Sequence, residues 1–307
     1  MQNLQRLCVG TNFSPESDVA IQSAVTLARA TGAQIDVLHV VHRPALYERV
    51  LQRQTTSDDE IVARATEHLR QSTSGAAFAG LTVHHHVRVG APFAELIIGC
   101  RELGGGLLIV GARKHGGLSG LLLGSTADRV LRKASVPVLL ARHALPEKPS
   151  CILAPTDFSE ASRPALGEAL ALARRWDARI VLLHVIEPIV QAYAWATDLA
   201  GGEIYVIEPE ELQPEWDALI AQLDLKGVRW EQQTIKGEVS TTVADVARSL
   251  SADLIVMGTH GRTGLTHALL GSVAERVVRA ATCPVLTLHP GKVRRRAPGK
   301  RRPRQAG

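Results

Sequence analysis

Short apolar runs rich in β-branched residues alternate with longer amphipathic stretches along most of the chain. This alternation is typical of βαβ units, in which parallel strands are joined by right-handed helical crossovers. The predicted strands are 4–9, 34–41, 81–89, 107–110, 137–141, 151–155, 179–185, 228–235, 253–257 and 284–288. The predicted helices are 15–31, 60–72, 93–103, 125–134, 160–176, 209–223, 239–250 and 272–281.

The pattern occurs twice. LLGSTADRVLRKASVPVL at 122–139 aligns without a gap to LLGSVAERVVRAATCPVL at 269–286, and 12 of the 18 positions are identical. A repeat of about 145 residues is too long for a solenoid unit and matches a whole domain. We therefore predict an α/β protein with two tandem Rossmann-like, doubly wound domains. Each domain is a five-stranded parallel sheet flanked by about four helices.

The domains are predicted at 1–145 and 150–291, followed by a basic tail at 292–307. The last strand of each copy, 137–141 and 284–288, is apolar and is expected at a sheet edge. An unprotected edge tends to pair with another strand. These two strands are therefore expected to pair with each other or with another chain, in a pseudo-symmetric internal dimer that can assemble further.

Charge is concentrated at the end of the chain. The net charge is +5, but residues 292–307 contain eight Lys or Arg and no acid, which leaves 27 basic against 30 acidic residues elsewhere. The tail, rich in Pro, Gly and Arg, is predicted to be disordered. Its charge does not indicate a basic face on the domains, so contact with nucleic acid or a membrane is not expected.

Several classes of protein are not supported. No apolar run approaches the roughly 20 residues that span a bilayer, and the N-terminus lacks a signal-peptide layout, so a cytoplasmic location is expected. Cys8, Cys100, Cys151 and Cys283 stand alone without CxxC spacing, as in reduced cytosolic proteins. The His run at 84–86 places only two rings on one strand face, and no metal is predicted.

A glycine-rich loop, GTHGRTG at 258–264, follows the ninth predicted strand and leads to Gly271 and Ser272, where a helix begins. Glycines let the backbone approach a ligand closely, and main-chain amides in such a loop converge on phosphate oxygens. The positive end of the helix adds to this cradle, and His260 and Arg262 add donors. The loop matches neither GxxxxGK[ST] nor GxGxxG, so a Walker A or dinucleotide site is not predicted.

The full spacing, Gly258-2x-Gly261-9x-Gly271-Ser272 with Asp157 after the first strand of the copy, resembles the ATP-binding pattern of the universal stress protein family. The resemblance covers both halves. It implies ATP, ADP or AMP as ligand, with Mg²⁺ held through the phosphates. The residues that it implies for nucleotide binding are Pro155, Thr156, Asp157, Val185, Met257, Gly258, His260, Gly261, Arg262, Gly264, Gly271, Ser272 and Val273.

The first copy departs from this pattern. Asn12 replaces the aspartate, and Lys114 stands where the second glycine is expected, whereas Gly124 and Ser125 remain. A side chain at Lys114 could block backbone approach or contribute a phosphate contact of its own. We expect the N-terminal site to be weak or empty, and a modified nucleotide site is the alternative.

Structural interpretations accompany the functional ones. Ser272 with Glu275, and Ser125 with Asp128, fit a helix capping box, a role that needs no ligand. Asp157 could likewise cap the helix that follows it. Ser272 by itself is therefore weak evidence for a phosphate site.

The resemblance implies an ATP-binding stress-response regulator or sensor with an unidentified protein partner. No catalytic residue is predicted, since nucleophile elbow, HExxH and paired-carboxylate patterns are lacking, and ATP hydrolysis is expected to be slow at most. Two alternatives stay open: a slow nucleotide hydrolase or transferase of a related α/β class, and a protein–protein adaptor with a vestigial nucleotide site. Fold analogy does not choose between them.

Overall fold

The computed structural model describes residues 4–42, 58–112, 123–187, 208–259 and 270–288. The strands are β1 (Arg6–Thr11), β2 (Gln34–Val41), β3 (Val83–Val89), β4 (Leu107–Gly111), β5 (Val138–Ala141), β6 (Cys151–Pro155), β7 (Arg179–Ile186), β8 (Arg229–Lys236), β9 (Leu254–Gly258) and β10 (Val285–Leu288). The α-helices are α1 (Pro15–Thr31), α2 (Asp58–Ser72), α3 (Pro92–Glu102), α4 (Ser125–Lys133), α5 (Arg163–Trp176), α6 (Gln213–Ile220), α7 (Val239–Ser249) and α8 (Ser272–Ala280).

These strands form one ten-stranded sheet in the order β3-β2-β1-β4-β5-β10-β9-β6-β7-β8. Within each half, neighbouring strands are parallel, and the order 3-2-1-4-5 is that of a doubly wound fold. The predicted fold class is confirmed. The strand order reverses between β1 and β4 and again between β6 and β9, and such points form crevices at the strand ends.

The two halves join through β5 and β10, which pair antiparallel with Val138 opposite Thr287 and Leu140 opposite Val285. All residues of both strands are buried. The predicted pairing of the two edge strands is therefore present within one chain. Association of separate chains through these strands stays a prediction.

Helices cover both faces of the sheet. One apolar layer is formed with α1, α2, α5 and α6, and the other with α3, α4, α7 and α8. Each layer runs continuously across both halves, so the hydrophobic effect that stabilises each domain also stabilises their union.

Two helices differ from the predicted bounds by more than two residues. The helix expected from 160 begins only at Arg163, because residues 160–162 form a turn ahead of it. The helix expected over 209–223 is a 3₁₀ turn, Pro209–Leu212, followed by the shorter α6. Pro214 explains the break, since its ring lacks an N–H and clashes with the carbonyl four residues earlier.

We call the junction of the two halves, where β5 pairs with β10, the seam. A closed ring of four ion pairs links α4 to α8 across it. Arg279 lies 2.7 Å from Asp128 and 3.1 Å from Glu275, and Arg132 lies 3.1 Å from Asp128 and also contacts Glu275. Each Arg therefore contacts one acid on its own helix and one on the other. Exposed pairs contribute little singly, but the closed ring fixes how the two helices face each other.

Arg142 makes a second contact across the seam. It follows β5, is 5% exposed, and donates to the carbonyl oxygens of Val278 and of Arg279, the latter at 3.2 Å. These carbonyls belong to the last turn of α8, whose negative end favours a cation. Burial lowers the pKa of the Arg142 guanidinium to about 10, so it stays charged at neutral pH.

The segment that joins the halves is packed against α1. The backbone N–H of Leu145 donates to Ser23 Oγ at 3.1 Å, and Thr26 Oγ1 donates to the Leu145 carbonyl at 3.3 Å. Among the described residues, no helix is long and apolar enough to cross a bilayer, and no group of three or more His, Cys, Asp or Glu could hold a metal ion.

Gly111 is expected to tolerate no side chain. A Cβ at this end of β4 would lie 2.2 Å from the backbone carbonyl oxygen of Glu16 in the first turn of α1. Because backbone cannot rotate away, Gly111→Ala should lower the free energy of unfolding by about 2 kcal/mol or more, measured by urea denaturation. Gly167→Ala is the control: Gly167 is exposed in α5 with nothing within 4 Å, and the change should stabilise by up to about 1 kcal/mol. Equal stability of the two variants would contradict this account.

Glu238 should give a pH-dependent contribution to stability. It caps α7, accepting hydrogen bonds from the Thr241 backbone N–H and the Ser240 hydroxyl, both at 2.7 Å, and these bonds lower its pKa to about 2. Because the folded pKa lies below the ordinary value, the stabilisation is present above about pH 4.5 and is lost as the pH falls towards 2. Glu238→Ala, which copies Ala91 of the first half, should cost about 0.5–1 kcal/mol at pH 7. A cost that does not shrink in acid would exclude this mechanism.

Candidate ligand-binding site

A cavity of about 300 Å³ lies at the carboxyl ends of β6 and β9, where the strand order of the second half reverses. Ligands of open α/β sheets bind at such points. Nine of the predicted site residues line it: Pro155, Thr156, Asp157, Val185, Met257, Gly258, Gly271, Ser272 and Val273. The other four, His260, Gly261, Arg262 and Gly264, lie outside the described residues, and so does Lys114.

Sequence reasoning missed the remaining walls of this cavity. They are formed by Ser162, Leu183, His184, Val239, Val243, Thr259, Ala274 and Val277. A signal existed for two of them, because Val239 and Val243 are four residues apart on α7 and so share a helix face. Nothing in the sequence indicated that this face points to the end of β6 rather than only into the core.

A strained turn positions the polar side of the cavity. Phe158 has a φ of 64°, a left-handed conformation that is costly for a residue with a side chain. Three contacts hold it: the Phe158 N–H donates to Thr156 Oγ1 at 3.1 Å, Thr156 Oγ1 bonds Ser162 Oγ at 3.1 Å, and the His184 ring packs on Phe158 at 4.3 Å. His184 Nδ1 also lies 2.8 Å from the Thr156 carbonyl oxygen.

Asp157 projects from this turn into the cavity lining. Its Oδ1 accepts hydrogen bonds from the backbone N–H of Ser159 at 3.1 Å and from the Ser159 hydroxyl at 2.6 Å. Helix α5 begins later, at Arg163, and its N-cap residue is Ser162. The interpretation of Asp157 as a helix cap is therefore wrong, and its carboxylate closes a local turn at the edge of the cavity.

The opposite side of the cavity is the first turn of α8. The N-cap residue is Gly271, Ser272 is the first helical residue, and no side chain caps the helix. The capping-box interpretation of Ser272 with Glu275 is wrong, because Glu275 contacts Arg279 and Arg132 instead. The same holds for Ser125 in α4, which follows an uncapped Gly124.

An uncapped helix start leaves its first amide groups for another acceptor, and anions bind there. The base of the loop that precedes α8 is closed, since the Gly271 N–H donates to the Thr259 carbonyl at 2.7 Å. The cavity thus combines an apolar wall, a carboxylate at one edge and an anion-binding helix start. This arrangement suits a ligand with a flat apolar part, hydroxyl groups and an anionic part.

The first half has a corresponding cavity of about 400 Å³ at the ends of β1 and β4. The strained turn is repeated with Phe13 at a φ of 62° and His39 Nδ1 at 2.9 Å from the Thr11 carbonyl oxygen. Burial lowers the pKa of His39, which keeps this ring neutral at physiological pH.

The chain is similar to proteins of one known family over both of its halves. The sequence profile of the universal stress protein family matches residues 3–142 and 151–289 of this chain. The chain is 31% identical over 301 residues to a universal stress protein of Mycolicibacterium smegmatis, a match that covers 92% of this chain and 97% of that protein. It is 28% identical over 296 residues to one of Mycobacterium tuberculosis, covering 91% and 95%.

The fold is also similar to a solved structure. The crystal structure of a universal stress protein from Archaeoglobus fulgidus superposes with a TM-score of 0.73 at 19% identity, covering 94% of this chain and all of that one. At this identity the likeness concerns the fold alone. Together with the sequence matches over both halves, these findings place the chain in the universal stress protein family, with two copies of the family's domain in one polypeptide.

Proposed function

We propose that the cavity of the second half binds an adenine nucleotide, with ATP as the first candidate, and that the chain acts as a nucleotide-dependent regulator in a stress response. The observation that carries the proposal is the pairing, in one cavity, of an apolar wall with an uncapped helix start. A nucleobase is buried favourably against apolar side chains, and phosphates are bound favourably by free amide groups at a helix N-terminus.

The expected pose follows from where these groups lie. The base packs against Val185, Val243 and Met257, and a ribose hydroxyl donates to Asp157. The phosphates extend to Gly258, Gly271 and Ser272, and the predicted contribution of residues 260–264 to phosphate binding belongs to the same proposal. Mg²⁺ enters this pose through the phosphates, since among the described residues no cluster of ligands holds a metal by itself.

A regulatory role is supported by two charged residues further along α8. The helix that begins at the cavity carries Glu275 and Arg279, which contact Arg132 and Asp128 of the first half. A ligand that orders the first turn of α8 therefore biases the contacts between the two halves, and occupancy becomes a conformational signal. A protein partner that reads this signal belongs to the proposal, as does a cytoplasmic location.

The division of the chain into 1–145, 150–291 and a basic tail at 292–307 is part of the same proposal. It is supported by the family matches, which leave residues 143–150 between the two copies. In this division the second domain holds the nucleotide, and the first supplies the other half of the seam.

Ser272→Asp should abolish nucleotide binding while leaving the fold intact. A carboxylate in the first turn of α8 is favourable for the helix dipole, but it repels phosphate oxygens at the same place. We expect ATP to bind the wild-type cavity at one per chain and to bind the variant at least tenfold more weakly, measured by isothermal titration calorimetry.

Ser125→Asp is the matched control, since it places the same charge at the start of α4. It should leave ATP binding in the second half unchanged. Wild-type affinity for ATP in the Ser272→Asp chain would show that this cavity is not the nucleotide site.

The link between the cavity and the seam can be tested by hydrogen exchange. ATP should slow amide exchange in α8 and also in α4, because the ion-pair ring connects the two helices. In an Arg132→Gln, Arg279→Gln chain, ATP should still protect α8 but no longer α4. Unchanged exchange in wild-type α4 at saturating ATP would remove the regulatory part of the proposal.

A further inference from the structure

We propose that the cavity of the first half is a second ligand site with a different preference: its ligand carries a hydrogen-bond acceptor, such as a phosphate ester on a ribose, where the ligand of the second half carries a hydroxyl. This inference rests on the proposed nucleotide binding of the second half, because it compares two copies of one site.

The first cavity is formed in spite of the sequence departures around it. Its volume of about 400 Å³ exceeds the 300 Å³ of the second, and a nucleotide-sized ligand fits a space of this size. Gly111 keeps the end of β4 tight against the first turn of α1, as the position of its missing Cβ requires. The strained turn at Phe13 and the uncapped start of α4 are also retained.

The orientation of the Asn12 amide decides which group faces the ligand. Its Oδ1 accepts a hydrogen bond from the backbone N–H of Ser14 at 3.3 Å. A backbone N–H only donates, so the oxygen of the amide must be on that side. The Nδ2 group, which has two N–H donors, is therefore directed away from the turn, and Asn12 is an exposed residue of the cavity lining.

The second copy presents opposite chemistry at the same place. Asp157 makes the same turn contact, to the Ser159 N–H at 3.1 Å, but its carboxylate has only acceptor atoms. It therefore matches a ribose hydroxyl and repels a phosphate. Asn12 offers N–H donors and no charge, so it can donate a hydrogen bond to a phosphate oxygen, which the Asp157 carboxylate of the second cavity would repel.

Two further differences lie on α4, the first of them in the cavity lining. Thr126 stands in the lining where the second copy has Val273, which adds a hydroxyl donor beside Ser125. Arg129, one turn further along α4, packs over the Phe93 ring at 5.1 Å, whereas its counterpart Arg276 lies 3.8 Å from Glu238. No carboxylate of the described chain lies within ion-pair distance of Arg129, so its positive charge is less neutralised.

One residue opposes an anion. Glu16, an acidic residue, is part of the lining of the first cavity, whereas the second copy has the uncharged Ala161 at this position. The backbone carbonyl of Glu16 lies against Gly111, so Glu16 is located on the β4 side of the cavity. Glu16→Ala should therefore strengthen anion binding and serves as a separate measure of charge in this cavity.

The test uses the full chain with Ser272→Asp, which silences the second cavity, and two probes: adenosine 3′,5′-bisphosphate and adenosine 5′-monophosphate. Calorimetry should show the bisphosphate binding at one per chain and at least tenfold more tightly than the monophosphate. Adding Asn12→Asp, which keeps the acceptor for the Ser14 N–H, should weaken the bisphosphate at least tenfold. Adding Glu16→Ala instead should strengthen it.

The reciprocal exchange is made in the second cavity. In a Ser125→Asp chain, Asp157→Asn should shift the preference from the monophosphate towards the bisphosphate. Failure of the bisphosphate to bind the Ser272→Asp chain, or an unchanged preference after Asn12→Asp, would overturn the inference. ATP binding to the Ser125→Asp chain is measured in parallel, so that a failure of this inference is distinguished from a failure of the proposed nucleotide site.

Discussion

The antiparallel pairing of β5 with β10 is the constraint on which the rest of the molecule depends. Each strand would otherwise leave unpaired N–H and C=O groups at an apolar edge. Their pairing fuses two five-stranded sheets into one and points the carboxyl ends of the two halves in opposite directions. The two cavities therefore open at opposite ends of the strands, on either side of the sheet's length. Helices α4 and α8 run antiparallel beside the seam.

Electrostatic contacts follow from that arrangement. Because α4 and α8 are antiparallel, the first turn of each lies beside the last turn of the other, which brings Asp128 to Arg279 and Glu275 to Arg132. Arg142 adds a buried cation at the carboxyl end of α8. The ring residues remain partly exposed, so their effect on stability is modest, and their importance lies in fixing the alignment of two helices that both begin at a ligand cavity.

The two copies share their scaffold and differ at the atoms that face the ligand. Both keep a phenylalanine at positive φ after β1 or β6, held by a Thr–Ser contact and a packed histidine. The third partner of the phenylalanine ring differs between the copies. Phe13 stacks on His68 with ring centroids 4.0 Å apart, and Phe158 makes a T-shaped contact with Trp216 with centroids 4.9 Å apart. Strain of this kind persists only where surrounding contacts impose it. Here the strained turn places Asn12 in the lining of the first cavity and Asp157 in that of the second.

Periodicity and internal repetition were enough to predict the strands, most of the helix bounds and an apolar edge strand in each copy, because these depend on local hydrophobic patterns. Whether the two edge strands pair with each other or with another chain was left open by the sequence. The glycine spacing and the family resemblance that it carries predicted nine of the residues that line one cavity, but the apolar wall with Val243 depended on how α7 packs over β7. The capping boxes were wrong because the acids that fit them are held by arginines, one on the same helix and one from the other half. Sequence by itself determined the elements and the duplicated domain, while only the tertiary structure decided the antiparallel seam, the ion-pair ring and the donor that Asn12 presents. Those features depend on contacts between residues far apart in the chain, which no local pattern records.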